Sequence, residues 1–440
     1  MIERSTPWNP LTASDSPPYV DIRATDGETI AQKDGDPLVV WFVNQYAGSP
    51  TYGMELRHHA LGRELQAQGH TVIVISGSFS HLFVRQPRTT GRFTVADVDG
   101  LTYCWVRVPR YRRATSAGRL FNMIVFMVRL FSLPTGLLAK PDAIVVSSPS
   151  LFPILPADRW ARREHARLIF EVRDIWPLTL QELGGLSPRH PAVVVMGWFE
   201  RHAYRVADAV VSVLPGAAPH LQSQGMAAEK LTIIPNGVTI DREEEQPSTP
   251  PVRGCGSASH FTVGFAGTLG AANAIETLIE AARLVADDDI RFVIVGHGAH
   301  AGELQRLARD LPSVEFKGPV PHDELHAVLQ GFDVCYVGYK RSPLYRFGVS
   351  PNKVFEYMAA ARPILMASEA FNDPVREADC GLTVPPDDPQ ALVRAIESMR
   401  SMTRQEREQL GANGHAFVLQ RHSYRSLAAA YLRVLRQSSG

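Results

Sequence analysis

The feature that most constrains the fold is an almost wholly apolar run, LVVWFVN at 38–44. Such a run is typical of a strand that is buried on both faces of a parallel sheet. The loop QYAGSPTYG follows it, and then come a predicted helix over 54–68 and a second apolar strand, TVIVIS at 71–76. This order predicts a doubly wound α/β sheet, whose ligand crevice lies at the carboxyl ends of the strands.

The same order begins again in the second half of the chain. FTVGFAGTLG at 261–270 is a predicted strand and glycine-containing loop, and IRFVIVGHG at 290–298 is another. A chain of 440 residues also exceeds the size at which a single core stops growing. The sequence therefore predicts two Rossmann-like domains that face a cleft.

Composition places the domain boundaries. Residues 1–36 carry Pro, Ser, Thr, Asp and Gly with little apolar periodicity, which is typical of a poorly ordered extension. We predict a first domain over 37–237 and a second over 261–413. The segment between them, 238–260, contains Pro, Ser, Gly and a run of Glu, and we interpret it as a linker.

The overall charge and the cysteines exclude several classes of function. Lys+Arg and Asp+Glu both number 45, so no net charge attracts the chain to nucleic acid. The four cysteines are scattered without the spacing of metal ligands, as in a protein of the reducing cytoplasm. We find neither a signal-peptide pattern nor an apolar run that could span a bilayer. The sequence predicts no metal site and no cofactor.

The stretch 341–368 changes abruptly from a loop to an amphipathic helix. Ser350 is predicted as the N-cap, and Pro351 as the first helical residue, where a missing N–H costs nothing. Apolar side chains then recur at helical spacing until Pro363 ends the helix. A capped helix start favours bound anions, because its N–H groups and its dipole attract negative charge.

Three polar side chains, Asn352, Lys353 and Glu356, lie in the first turn and a half of this helix. Lys353 can reach a phosphate, and Glu356 can accept hydrogen bonds from vicinal hydroxyls such as those of a ribose. The residues alone leave an alternative open, in which Lys353 and Glu356 form an i, i+3 ion pair on a solvated face.

Three motifs resemble one enzyme family. PNKVFEYMAAARPIL at 351–365 resembles the nucleotide-sugar signature of retaining GT-B glycosyltransferases of the family 4 type, and K-x-x-E-Y-M-A-x-x-x-P is its specific part. GH-x-V-x-V-I-S at 69–76 and the hinge sequence PNGV at 235–238 match the same family. The resemblance implies the GT-B fold and a Glu356 that binds the donor ribose. It also implies that the last helix, predicted as a single element over about 414–436 within the segment 414–440, crosses back onto the first domain.

The resemblance also indicates further donor contacts. The glycine-containing loop with Gly53 faces the donor phosphate, although tight-turn geometry explains its glycines equally well. Val320 follows a predicted edge strand, after which the family binds the nucleobase through backbone groups. The predicted donor-binding residues are Gly53, Thr268, Gly298, Val320, Gly348, Ser350, Asn352 and Glu356.

The chain departs from the family pattern at positions that normally carry charge. Gly348 replaces an acidic residue, and Thr268 and Asn273 stand where the family has Arg and Lys for the diphosphate. Other groups must then meet the diphosphate charge. The candidates are Lys353, Arg346, Arg341, Arg173 and the helix start at Ser350.

A second polar site is predicted at the end of a central strand. EVRDIWP at 171–177 resembles a bacterial cell-envelope subgroup that includes transferases of N-acetylated amino sugars. Arg173 can face an anion and Asp174 can accept from a sugar hydroxyl, or the two can pair to hold the loop. We predict Lys353, Asp174 and Arg173 as the catalytic residues.

A basic cluster precedes an apolar helix in the first domain. Arg110, Arg112 and Arg113 are followed by GRLFNMIVFMVRLF, which only Arg129 interrupts after Arg119. This combination is typical of a peripheral membrane surface. The alternative is a buried helix beside an arginine-rich loop that aids solubility.

The resemblance, together with these features, implies a retaining glycosyltransferase on the cytoplasmic, inner face of the plasma membrane, in contact with anionic lipid and not with nucleic acid. It moves a sugar from a nucleoside diphosphate, with UDP expected, to a saccharide or lipid-linked acceptor of cell-envelope polysaccharide. The mechanism that the resemblance implies needs no protein nucleophile, only positioning and electrostatic stabilisation of the leaving diphosphate. Two alternatives are a sugar-nucleotide epimerase of the same architecture and a non-catalytic nucleotide-sugar-binding subunit.

Overall fold

The computed structural model describes residues 35–53, 56–112, 116–240, 260–285, 287 and 289–437. Most of the predicted N-terminal extension, most of the predicted linker and Arg113 lie outside these residues.

The first domain is built on an eight-stranded sheet in the order β3-β4-β2-β1-β5-β6-β7-β8. Its strands are β1 Val39–Val43, β2 Thr71–Gly77, β3 Phe93–Val98, β4 Leu101–Val106, β5 Ala143–Ser147, β6 Arg167–Val172, β7 Ala209–Ser212 and β8 Leu231–Ile233. Its helices are α1 Arg57–Ala67, α2 Ala117–Leu130, α3 Ile154–Glu164, α4 Leu178–Glu182, α5 Pro191–Val206 and α6 Ala218–Ser223. All strand pairs are parallel except β3 with β4.

The two faces of this sheet are covered by different helices, as in a doubly wound fold. Alternate side chains of β1, Trp41 and Val43, enter a core that includes inner residues of α2, α3 and α5. Val40 and Phe42 point the other way, into a core with α1 and the last helix of the chain. Both faces are therefore buried, which explains why the strands are apolar throughout.

The second domain is a six-stranded, wholly parallel sheet in the order β11-β10-β9-β12-β13-β14. Its strands are β9 Phe261–Ala266, β10 Ile290–Val295, β11 Val314–Lys317, β12 Val334–Gly338, β13 Ile364–Ala367 and β14 Gly381–Val384. Its helices are α7 Ile275–Leu284, α8 Ala301–Leu307, α9 His322–Gln330, α10 Asn352–Ala359, α11 Pro374–Glu377, α12 Pro389–Ser401 and α13 Arg404–Arg421, and α14 Tyr424–Arg436 follows.

The predicted single helix at the end of the chain is wrong, because the structure breaks it at His422 and Ser423. The Ser423 hydroxyl accepts from the backbone N–H of Ser426 and caps α14. The carbonyl of His422 accepts from the backbone N–H of Val238, in the segment that leaves the first domain. α14 then packs against α1, and Leu427 and Tyr431 enter the core of the first domain.

No helix in the described part of the chain is long and apolar enough to cross a membrane.

Candidate active site between the two domains

The centre of the candidate donor site is the contact between α10 and the loop after β9. The Lys353 ammonium donates to Oδ1 of Asn273 at 2.6 Å, and Asn273 Nδ2 donates to the carbonyl of Thr268 at 2.6 Å. The Lys353 Nζ also lies 5.3 Å from the centre of the Phe265 ring. The structure thus brings Lys353 together with Thr268 and Asn273, the two positions at which the family pattern has Arg and Lys.

Tyr357, one turn after Lys353, fixes this contact. Its hydroxyl donates to the carbonyl of Ala266 and accepts from the backbone N–H of Ala266, both at 2.9 Å. A side chain at Gly267 would collide with the Lys353 stem, so glycine leaves the space that the lysine occupies. Sequence analysis missed Tyr357, although its i, i+4 spacing from Lys353 places both on one helix face.

The environment of Lys353 disfavours its own charge. Burial lowers the pKa of Lys353 to about 8, while the negative charge of Glu356 acts in the opposite direction. Glu356 is half-buried on the same helix, and Asn352 is exposed. Lys353 is therefore not the solvated surface group of the alternative interpretation. It is a largely buried cation that a diphosphate would stabilise.

The start of α10 corrects one prediction. Pro351 occupies the N-cap position and no side chain caps this helix. The Ser350 hydroxyl instead accepts from the backbone N–H of Asn236, and the Ser350 carbonyl accepts from Asn236 Nδ2, both at 2.7 Å. Ser350 thus joins the second domain to the hinge sequence PNGV, a contact that a local capping pattern does not reveal.

Gly348 has a structural reason to be glycine. Its φ is +90°, and a Cβ atom there would meet Asn372 Oδ1 and the ring of Pro215. Asn372 accepts from the backbone N–H of Val349 at 2.7 Å and donates to its carbonyl at 2.9 Å. The acidic side chain of the family pattern has no room at this position.

The other predicted donor residues lie in the loops around this centre. A Cβ atom at Gly298 would collide with the carbonyl of Leu269, so this glycine allows the loops after β9 and β10 to touch. Thr268 is exposed, and Val320 is half-buried against an apolar cluster that includes Val354 and Phe355 of α10. Gly53 belongs to the first domain, with φ of +80°, and a Cβ there would meet Val84.

Arg173 and Asp174 follow β6 in the first domain. Their backbone N–H groups donate to the Ser148 hydroxyl, at 2.8 and 3.4 Å, which ties this loop to the end of β5. Arg173 is half-buried, and the Asp174 side chain is exposed. Both lie at the carboxyl edge of the sheet, where α/β folds bind ligands.

Two of the alternative diphosphate cations have other contacts. The guanidinium of Arg346 donates to both carboxylate oxygens of Glu182 in α4, at 3.0 and 2.5 Å. This ion pair joins the second domain to the first. The backbone N–H of Arg341 donates to Asp387, and the Arg341 side chain is exposed.

A buried carboxylate that sequence analysis did not single out lies two residues before Arg173. Glu171 accepts from Arg57 Nε at 2.9 Å, from the Ser147 hydroxyl at 2.7 Å and from the Tyr431 hydroxyl at 3.1 Å. His58 Nε2 lies 2.8 Å from Oε2 of Glu171, the oxygen that also accepts from Ser147. Burial by itself would raise the pKa of Glu171, but the nearby charges of Arg57 and His58 outweigh it and hold the pKa well below its usual range.

The predicted membrane residues lie at the approach to α2. Arg110 and Arg112 are exposed, and the Arg110 guanidinium lies 5.8 Å from the centre of the Phe79 ring. Arg113 is not among the described residues. Within the described residues, no group of three or more His, Cys, Asp or Glu side chains could hold a metal ion.

Two family models match the chain. The Glycosyl transferase 4-like domain matches residues 52–237, and Glycosyl transferases group 1 matches residues 260–401. WcaI of Escherichia coli (strain K12), assigned as a colanic acid biosynthesis glycosyl transferase, is 25% identical over 354 residues, which are 76% of this chain and 84% of WcaI.

Solved structures of distant relatives share the fold. Sucrose-phosphate synthase from Thermosynechococcus elongatus superimposes with a TM-score of 0.66 at 17% identity, over 91% of this chain and 98% of that one. HepE from Anabaena, in complex with UDP and glucose, superimposes with a TM-score of 0.60 at 14% identity, over 91% of this chain and 100% of that one. The two α/β domains thus form a GT-B fold, as the resemblance implied.

Proposed function

The chain is a glycosyltransferase of the GT-B fold, with a glycosyl transferase 4-like domain followed by a group 1 domain, and from this premise we propose its donor and mechanism. It transfers a sugar from a nucleoside diphosphate, with UDP as the expected nucleotide, and retains the anomeric configuration. N-acetylated amino sugars are the expected donors. The acceptor is a saccharide or a lipid-linked saccharide in cell-envelope polysaccharide biosynthesis, in line with the colanic acid role assigned to WcaI.

The observation that carries the donor assignment is the buried cation beside Glu356. Lys353 is held by Asn273 over the Phe265 ring, and its pKa of about 8 reflects the cost of a buried charge that lacks a full counter-charge. A diphosphate beside Lys353 supplies that counter-charge. Glu356, on the same helix, accepts hydrogen bonds from the hydroxyls of the ribose.

Catalysis then depends on electrostatics and positioning. As the bond between the sugar and the diphosphate breaks, negative charge develops on the leaving oxygen, and Lys353 stabilises it. Arg173 and Asp174 approach from the first domain, where Asp174 accepts from a sugar hydroxyl and Arg173 faces negative charge. The acceptor attacks from the face that the diphosphate leaves. Both domain descriptions name glycosyl transfer, which favours this function over the epimerase and the binding subunit.

The chain also binds the membrane in this proposal. α2 exposes a stripe of large apolar side chains, and the exposed Arg110 and Arg112 lie just before it. The stripe consists of Leu120, Phe121, Ile124, Val128 and Phe131. An amphipathic helix beside basic residues fits the inner, anionic face of the plasma membrane, where a lipid-linked acceptor would lie.

Calorimetry of UDP binding to a Glu356→Gln variant tests the donor site. If Glu356 holds the ribose, its neutral replacement should weaken binding by about 1.5–3 kcal/mol, the range for a hydrogen bond to a charged group. Glu397→Gln, at an exposed position of α12, is the matched control. Unchanged UDP affinity in Glu356→Gln would remove Glu356 from the donor site. If the wild type binds another nucleoside diphosphate and not UDP, uracil is the wrong nucleobase for the donor.

A further inference from the structure

A second helix of the first domain exposes apolar side chains that the fold does not use. Val194, Val195 and Trp198 of α5 are each at least half exposed, and Leu183, just after α4, is 65% exposed. The Trp198 ring stacks on the His202 ring, with centres 5.3 Å apart and an interplanar angle of 7°. A cluster of this kind marks an interaction surface, whereas single exposed apolar residues do not.

This cluster lies on the same side of the molecule as the apolar stripe of α2. The inner residues Phe126 of α2, Trp160 of α3 and Phe199 of α5 all belong to one core, on one face of the eight-stranded sheet. α1 and α14 cover the opposite face. The outer surfaces of α2, α3 and α5 therefore form a single layer, which we call the outer helical layer.

The exposed charges on the outer helical layer all have one sign. Every charged side chain that is exposed on the three helices is an arginine, whereas Asp158 and Glu164 are half-buried and Glu200 is buried. Asp158 and Glu164 accept from Arg162 and Arg163, at 2.8 and 2.7 Å. The arginines are Arg159, Arg162, Arg163, Arg201 and Arg205. The three helices together contain seven arginines, no lysine and three acidic residues, whereas the whole chain has a formal net charge of zero. This layer therefore keeps a local excess of positive charge even where arginines pair with acidic neighbours.

We propose that the outer helical layer lies flat on an anionic lipid surface, with α5 as a second anchor beside α2. The proposal rests on the proposed membrane association and extends it from one helix to a plane. Trp198 lies at the level of the lipid headgroups, as tryptophan does at membrane interfaces. Arg201 and Arg205, one and two turns further along α5, contact the lipid phosphates.

A lipid surface explains the layer better than a second copy of the chain does. A two-fold symmetric contact would place this positively charged layer against the same layer of the second copy, and like charges across an interface oppose association. Anionic lipid attracts them. The orientation also leaves the carboxyl ends of the strands, where Arg173 and Asp174 lie, at the side of the contact instead of beneath it, so that the cleft stays open at the membrane.

The first test is co-sedimentation with vesicles of phosphatidylglycerol and phosphatidylcholine. The change is Arg201→Gln with Arg205→Gln, and the matched control is Arg309→Gln with Arg394→Gln, two exposed arginines of the second domain. We expect the α5 pair to weaken partitioning by about 30-fold, or roughly fivefold per basic residue near an anionic surface. The control should bind as the wild type does, and thermal unfolding midpoints check that all variants fold.

The second test follows the tryptophan itself. Vesicles should shift the wild-type emission to shorter wavelength, and Trp198→Phe should lose much of this shift while it still binds. If the wild type sediments but neither the α5 pair nor Trp198→Phe differs from it, α5 does not touch lipid and the inference is wrong, while membrane association through α2 stands. If the wild type never sediments, both proposals fall. A wild-type dimer that Trp198→Ser converts to a monomer in light scattering would make this layer a self-interface and overturn the inference.

Discussion

Lys353 contacts one of the two residues that replace the Arg and Lys of the family pattern. The family pattern supplies an Arg and a Lys to the diphosphate at positions where this chain has Thr268 and Asn273. Here Asn273 orients the ammonium of Lys353 instead, at 2.6 Å. Arg346 is occupied by Glu182, so Lys353 should provide an unusual share of the leaving-group stabilisation.

Lys353→Met should lower turnover by roughly a hundredfold or more, because loss of one preorganised donor to a developing charge has this effect in other enzymes. Lys317→Met, at an exposed lysine of the same domain, is the control. Donor hydrolysis and transfer assays on folded protein measure the effect. Near-normal rates in Lys353→Met would move the role to Arg173, Arg341 or Arg346.

The same substitution has a pH signature. The pKa of Lys353 in the free protein is about 8, so the ammonium loses its proton as pH rises through 8. An anionic diphosphate binds the protonated form more tightly, and wild-type UDP affinity should therefore fall between pH 7 and 9, with proton uptake on binding. Lys353→Met should show neither effect. A wild-type affinity that is flat over this range would contradict the assignment.

The sequence predicts candidate site residues but not the contacts that those residues make. Lys353 and Glu356 are visible in a local motif. The contact of Asn273 with Lys353 joins residues 80 positions apart, and that of Ser350 with Asn236 joins residues 114 positions apart. Local spacing carries no information about such contacts, and for this reason Ser350 was interpreted as a helix cap.

Among the elements, buried strands were the easiest to predict. β2 Thr71–Gly77 begins at the predicted residue and ends one residue after the predicted end, because a strand buried on both faces forms a nearly continuous apolar run. The β3–β4 hairpin was missed, although Asp-Gly is a sequence signal for a two-residue hairpin turn. Asp99 and Gly100 both have the positive φ that this turn requires, at 52° and 81°. The sequence does not predict the break before α14, because the apolar side chains of the segment keep helical spacing across it. The break is marked only by Ser423, which caps α14.

The next prediction concerns the arginines that precede α2. Replacing Arg110, Arg112 and Arg113 with Gln should move protein from the pellet of anionic vesicles to the supernatant, since each basic residue near such a surface contributes about 1 kcal/mol. Wild-type binding should also weaken as salt rises. Vesicles of phosphatidylcholine alone are the control. Binding that is equal on neutral and anionic vesicles would leave only the apolar stripe as the anchor.

At the scale of the whole molecule, three contacts hold the domains in one arrangement. Arg346 pairs with Glu182, Ser350 bonds to Asn236, and the backbone N–H of Gly216 donates to the carbonyl of Phe347 at 2.9 Å. All three involve the segment just before α10. The position of Lys353 relative to the first domain is thus fixed by the same stretch that carries the donor motif.

Glu171 connects β6 with α1, the hinge sequence and α14. Arg57, which it holds, donates from its two Nη atoms to the carbonyls of Pro235 and Ile234 at 2.5 and 2.9 Å, where the chain leaves the first domain. Tyr431 brings α14 to the same carboxylate. One buried charge therefore joins α1, β6, the hinge sequence and the last helix.

Glu171→Gln should destabilise the first domain by about 3–5 kcal/mol, because it leaves the Arg57 cation buried without its counter-charge. Tyr431→Phe removes one hydrogen bond and should cost only about 1 kcal/mol, which keeps the test open if Glu171→Gln does not fold. Glu229→Gln, at an exposed position of the same domain, is the control. Hydrogen exchange should show lost protection in α1 and α14 but not in β9 to β13.

Acid should abolish the difference in unfolding free energy between the wild type and Glu171→Gln. Because the folded pKa of Glu171 is held well below the unfolded value, its contribution to stability is present above the unfolded pKa and is lost as pH falls through the folded pKa. Denaturant unfolding of wild type and Glu171→Gln should accordingly differ most near neutral pH and converge only in strong acid. Equal loss of protection in both sheets, or a gap between the two proteins that does not shrink on acidification, would show that Glu171 does not join the first domain to the hinge through its charge.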